Sequence, residues 1–136
     1  MTKAIGIDYG TKRVGIAISD STQIIASALC TVSTKEIFKF LIDLVEKEKV
    51  DTIVVGVAKN LDGTDTDSTL LIYQFIEKIK VLFPKLGVHS IDERFTSKIA
   101  FQSIIDSGIK KKKRQNKSLI DEVSATIILQ DYLSYK

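Results

Sequence analysis

The first quarter of the chain constrains the fold most. Residues 3–9, 13–19 and 24–32 read as three strands, alternating or continuously apolar, with turn residues between them. The link Gly10-Thr11-Lys12 is too short for a crossover, so the first two strands must form an antiparallel hairpin. In the first strand Ile5 and Ile7 share one face, while Ala4, Gly6 and Asp8 share the other. In the second, Val14, Ile16 and Ile18 stand opposite Gly15, Ala17 and Ser19. One face of the hairpin is therefore aliphatic and the other is lined by very small side chains. A single acid, Asp8, stands on the small face near the strand end.

The pattern then changes. KEIFKFLIDLVEKE, residues 35–48, carries Ile37, Phe40 or Leu41, Leu44 and Val45 at helical spacing. DTIVVGV, residues 51–57, is continuously apolar, as expected of a parallel strand covered on both faces. The loop AKNLDGTDTDS follows, then a helix over 68–83 that Pro84 stops. GVHSI, residues 87–91, reads as a fifth strand. Ser97 is suited to cap a helix running to about Ser107, with Gly108 at its end, and residues 118–133 read as the last helix. The order is βββαβαβαα. It predicts an α/β fold: a five-stranded mixed sheet, with antiparallel strands first and parallel strands later, flanked by helices. With 136 residues and neither repeat nor linker, residues 1–136 are expected to form one domain.

The chain is 44% hydrophobic and 27% charged, ordinary values for a soluble globular protein. No apolar run approaches the roughly 18 residues of a membrane-spanning helix. A strand-like segment stands where a signal peptide would place its long apolar stretch. Cys30 has no partner for an internal disulfide and reads as a small buried thiol in a reducing compartment. A cytoplasmic protein is expected, with no membrane partner. The net charge of +3 conceals one concentration of cations. IKKKKRQNK, residues 109–117, holds Lys110, Lys111, Lys112, Lys113, Arg114 and Lys117 and no acid; the rest of the chain has more acids than cations. Such a run suits a polyanion, or is simply a solvated loop.

Several acids stand out by position. Asp8 ends the first strand, Asp92 and Glu93 follow the fifth, and Asp121 opens the last helix. In α/β sheets, sites form beyond the carboxyl ends of strands. Should the first and fifth strands run in the same direction, Asp8 and Glu93 share one edge. Asp121 lies three residues after Ser118, a spacing that also suits support of a helix N-terminus. It shares a helical line with Ala125, Ile128 and Tyr132, however, and Ser124 and Ala125 are small enough for close approach to a sheet. Carboxylates without His or Cys partners favour a hard cation, Mg²⁺ or Mn²⁺. His89, the single histidine, cannot build a zinc site or a triad alone. Such cations activate water and stabilise the leaving oxygen in phosphodiester cleavage. On this reading the small residues around Asp8 leave room for a backbone phosphate, and the basic run holds the rest of a nucleic acid.

GIDYGTKRVGIAISD, the GVAKNLDGT loop, DERFTS and the terminal IDEVSATIILQDYL resemble, in this order, the YqgF family. Its members are described as pre-16S rRNA nucleases or Holliday junction resolvases with an RNase H-like fold. The resemblance covers nearly the whole chain. It implies a five-stranded RNase H-like domain and a hydrolase dependent on Mg²⁺ or Mn²⁺, with Asp8, Glu93 and Asp121 as catalytic, metal-holding acids. It further implies that Arg13 and Arg94 contact substrate phosphate or position the acids. Lys59 and Asn60 of the second loop, Thr96 after DER, and the basic run Lys110, Lys111, Lys112, Lys113 and Arg114 complete the expected substrate contacts. Two departures stand out. The family's Pro after the loop glycine is absent from Gly56-Val57-Ala58, and its paired Ala in the last helix is Ser124-Ala125 here. Neither touches an acid. Precursor 16S rRNA processing in ribosome biogenesis is the preferred function, with ribosomal particles as possible partners, and four-way DNA junctions are the alternative substrate. A monomer suits the first and a homodimer the second. A sugar-kinase or actin-like ATPase would share GIDYGT but needs a second domain. A ribosome-assembly factor without catalysis is the remaining alternative.

Replacing Lys110 to Lys113 with Ala is expected to weaken nucleic-acid affinity and flatten its salt dependence. A titration at several salt concentrations checks this; an unchanged slope removes the run from the footprint.

Overall fold

The computed structural model describes residues 1–58, 68–92 and 117–135, with the backbone alone at 117–120. Five strands form one sheet: β1 (Lys3–Tyr9), β2 (Arg13–Ser19), β3 (Ala26–Ser33), β4 (Val50–Val57) and β5 (Gly87–Asp92), in the order β3-β2-β1-β4-β5. β1 pairs antiparallel with β2, and β2 with β3; β4 runs parallel to both β1 and β5. This is the mixed sheet expected from the sequence. Helices α1 (Ile37–Glu48), α2 (Thr69–Leu82) and α3 (Lys117–Tyr135) flank it. The helix expected over 97–107 lies outside the described residues.

The two faces of the hairpin go to different helices. Ile5, Ile7, Val14 and Ile16 form one core with Ile37, Leu41 and Leu44 of α1 and Ile72, Phe75, Ile76 and Ile79 of α2. Ala4, Ala17 and Val54 form a second core with Ala125, Ile128, Leu129 and Leu133 of α3. The apolar spacing of α1 and α2 accounts for the first core, since each helix buries a single stripe. Before α1, Ser33 Oγ accepts from Lys35 N in a short 3-10 turn. Lys49 closes α1 in a left-handed conformation, φ 54°. Helix α2 ends at Leu82, two residues before Pro84.

The second core is built on the absence of side chains. A Cβ on Gly6 would lie 2.5 Å from Leu129 Cβ and 2.7 Å from the Ala125 carbonyl oxygen. Helix α3 thus occupies the space above Gly6. This corrects the expectation that the small residues leave room for a phosphate: here they leave room for a helix.

The third strand begins at Ala26, two residues later than expected. Asp20 explains the difference. Its carboxylate accepts from the backbone N–H groups of Thr22, Ile24 and Ile25 and from the Thr22 hydroxyl, folding that segment into a turn. The Thr22 hydroxyl, followed by the Ile25 and Ile24 amides, holds the Asp20 carboxyl well below the usual range. Ile24 and Ile25 stay exposed. Their apolar character imitates a strand, but their amides are already committed to Asp20.

Gly6→Ala is expected to lower the melting temperature by roughly 3–10 °C, because an added methyl must push α3 off the sheet. An unchanged melting temperature would mean that α3 does not rest on β1.

Candidate active site

Three parallel strands set the edge on which the site lies. The registers Ile7–Val55 and Val55–Ser90 align β1, β4 and β5, so their carboxyl ends point the same way. The condition placed on the first and fifth strands is met. At the end of β1 two neighbours part company. Tyr9 turns to the aliphatic face and stacks on Phe75 of α2, with ring centroids 4.4 Å apart. Asp8 follows Ala4 and Gly6 onto the small face, where α3 lies. Asp8 is half-buried.

Helix α3 brings in the second acid. Asp8 pairs with Gly15 across the β1–β2 ladder. A Cβ on Gly15 would meet the Asp121 carbonyl oxygen at 2.1 Å and its Cβ at 2.9 Å. The backbone of Asp121 therefore rests on the ladder partner of Asp8. Asp121 lies beyond the first turn of α3, which contains no acid. Its position on the sheet, rather than helix capping, accounts for it. Burial of Ala125 and Ile128 bears out the inward helical line.

Arg13 joins this pair. It opens β2, and its Nε donates to Asp121 Oδ2 at 3.0 Å across 108 residues of sequence. The arginine side chain is 38% exposed and the aspartate 23%. The hairpin link that puts Arg13 here is tight: a Cβ on Gly10 would lie 2.6 Å from the Arg13 carbonyl oxygen. Thr34 braces the link by donating its hydroxyl to Gly10 O and its amide to Lys12 O.

The neighbouring Glu122 turns toward the edge strand. Its Oε1 accepts from the Thr31 hydroxyl at 3.3 Å. Burial, aided by the Glu122 charge, pushes the Cys30 thiol up from its usual range, in keeping with an unreactive cysteine. The helical line through Ala125 and Ile128 marks Asp121 rather than the adjacent Glu122 as inward-facing, and the docking of α3 agrees with it.

The structure thus brings together Asp8, Arg13 and Asp121 of the expected site residues. Glu93, Arg94, Thr96, Lys59, Asn60, Lys110, Lys111, Lys112, Lys113 and Arg114 lie outside the described residues. β5 ends on the same sheet edge at Asp92, the residue before Glu93. Among the described residues, no group of three His, Cys, Asp or Glu side chains stands close enough to hold a metal ion. Also among the described residues, no helix is long and apolar enough to cross a membrane.

The chain is similar to known proteins to different degrees. The family described as RuvX, Holliday junction resolvase, matches residues 2–135. A Flavobacterium psychrophilum protein named "Putative pre-16S rRNA nuclease" is 52% identical over 136 residues, covering 100% of this chain and 99% of its own. A Bacteroides thetaiotaomicron protein of the same name is 46% identical, again over 100% and 99% of the two chains. The RuvC protein of Thermus thermophilus, solved in complex with a Holliday junction substrate, superposes with a TM-score of 0.63 at 11% identity. That match covers 99% of this chain and 95% of the other, and it shows the RNase H-like fold.

Gly15→Ala is expected to cost about 1–3 kcal/mol in urea unfolding, since the atoms in the way belong to helix backbone. A neutral result would mean that Asp121 is not seated on β2.

Proposed function

The chain belongs to the RuvX/YqgF family of Holliday junction resolvases, and on that premise we propose that it is a metal-dependent nuclease acting in 5′-end processing of precursor 16S rRNA. One observation supports this reading above the others. Asp8 and Asp121, 113 positions apart by their residue numbers, both adjoin Gly15 through their backbones at the carboxyl edge of the sheet. Like charges are not placed together in a half-exposed corner unless positive charge balances them. Arg13 already supplies one positive charge to Asp121. The corner thus has the oxygen donors and the electrostatic demand that suit a hard cation.

In this reading Asp8, Glu93 and Asp121 would hold Mg²⁺ or Mn²⁺, and such a cation would supply activation of water and stabilisation of the charge that develops in phosphodiester cleavage. The chain does the positioning. The sheet and α3 hold Asp8 and Asp121 at fixed spacing, so little reorganisation is needed during the reaction. Arg94, Thr96, Lys59 and Asn60 contact the substrate. Lys110, Lys111, Lys112, Lys113 and Arg114 grip its phosphodiester backbone. The protein acts in the cytoplasm, as a monomer on RNA, with ribosomal particles as partners.

The names of the relatives favour precursor rRNA as substrate. The family description favours a second reading, cleavage of four-way DNA junctions, for which a homodimer is the suitable form. The ATPase alternative finds no support, because the relatives are matched over 99% of their own length and carry no second domain of that size.

Wild type and Asp8→Asn are to be compared with Mn²⁺ or Mg²⁺ on precursor 16S rRNA and on a four-way junction. RNA cleavage by wild type, reduced at least 100-fold in Asp8→Asn as expected of a lost metal ligand, is the expected result. Paired nicks in the junction alone would favour the resolvase. Cleavage of neither substrate by folded protein would favour the non-catalytic assembly factor.

A further inference from the structure

We propose that Arg13 is an exchangeable counter-cation: its guanidinium and a divalent metal ion compete for the same carboxylate, Asp121. The proposal rests on the nuclease reading above and deepens it.

Arg13 does not fix where Asp121 stands. That is settled by backbone contact with Gly15, where a Cβ would meet the Asp121 carbonyl oxygen at 2.1 Å. It is reinforced by the burial of Ala125, Ile128 and Leu129 one and two turns farther along α3. Removing the guanidinium should leave the helix in place. What Arg13 contributes is charge. Its Nε donates to Oδ2, one of the two oxygens with which Asp121 would bind a metal ion.

The contact is also of the kind that can be exchanged. Both partners are partly exposed, at 38% and 23%. Ion pairs in such settings are weak and readily replaced by water or a stronger charge. The donor used is Nε, and the two terminal nitrogens carry four further N–H groups in a fork suited to a phosphate. When Asp121 turns to a metal ion, the fork stands at the same sheet edge, ready for a phosphate oxygen of the substrate. One arginine thus balances the acid before the metal ion binds and the phosphate afterwards.

A supporting arginine strengthens metal binding, so its loss weakens it. A competing arginine does the reverse. Mn²⁺ affinity of the full chain is to be measured by isothermal titration for wild type, Arg13→Gln, Arg13→Lys and Asp8→Asn, with circular dichroism melting to confirm folding. Arg13→Gln is expected to bind Mn²⁺ about two- to fivefold more tightly than wild type, the range set by the strength of an exposed ion pair. Arg13→Lys, which keeps the charge, is expected to stay close to wild type. Its affinity for a short nucleic acid should fall in Arg13→Gln even as Mn²⁺ binding tightens.

Equal or weaker Mn²⁺ binding by folded Arg13→Gln would overturn the competition. The nuclease reading would survive that result as long as wild type binds Mn²⁺ and Asp8→Asn does not. Absence of Mn²⁺ binding in folded wild type would overturn both.

Discussion

The close approach of α3 to the β1–β2 hairpin is the contact on which the site depends. Two glycines permit it. At Gly6 an added Cβ would lie 2.5 Å from Leu129, and at Gly15 it would lie 2.1 Å from the Asp121 backbone. A helix separated from the sheet by ordinary side chains would carry Asp121 several ångströms away, since packed layers normally stand about 10 Å apart. The approach is held by the burial of Ala125, Ile128, Leu129 and Leu133 against Ala4, Ala17 and Val54. Each large side chain among these contributes about 1.5–3 kcal/mol. The acid is thus positioned by apolar packing one to three turns away along the same helix.

The two faces of the sheet divide the work. The aliphatic face, with α1 and α2, is a conventional core of branched side chains. The other face trades bulk for proximity. It holds smaller residues and brings polar groups from distant parts of the chain onto one edge. Asp8 comes from the central strand, Arg13 from its hairpin partner and Asp121 from the far end of the chain. The central place of β1 explains why this edge suits a site. It has an antiparallel neighbour on one side and a parallel one on the other, so the hairpin link and the carboxyl ends of β4 and β5 all flank it.

Electrostatics follows from this geometry. Two carboxylates on one edge repel, and Arg13 offsets part of that repulsion through a half-exposed ion pair. Glu122, one residue farther along, escapes the problem by turning to Thr31 on the edge strand. At the opposite end of the sheet, Asp51 accepts from Thr2 and Gln23 and is held below its usual range despite the opposing effect of burial. Those bonds tie the amino terminus, the turn after β2 and the start of β4 together. The cost of burial there is met by neutral donors, whereas Asp121 depends on a cation.

Much of the architecture was readable in the residues. A three-residue link demands a hairpin, DTIVVGV demands a doubly covered strand, and period-two alternation separates Ile5 and Ile7 from Gly6 and Asp8. These are local rules, and the sheet obeys them. Local rules also misled at Ile24 and Ile25, whose apolar character reads as strand while Asp20 holds their amides in a turn. The use of the small face was not readable either. Glycines beside an acid suit a phosphate as well as a helix, and a pattern of residues cannot say which body fills a gap. Nor could the sequence give Glu122 its partner Thr31, or decide whether Arg13 meets an acid or solvent. Those choices depend on where α3 comes to rest, and that is set by long-range packing between residues more than 100 positions apart. Within the described residues, the sequence by itself determined the strands and helices and their order, and it named the candidate acids, because these follow from spacing along the chain. Only the tertiary structure decided which of them meet, because proximity across a sheet is a property of packing.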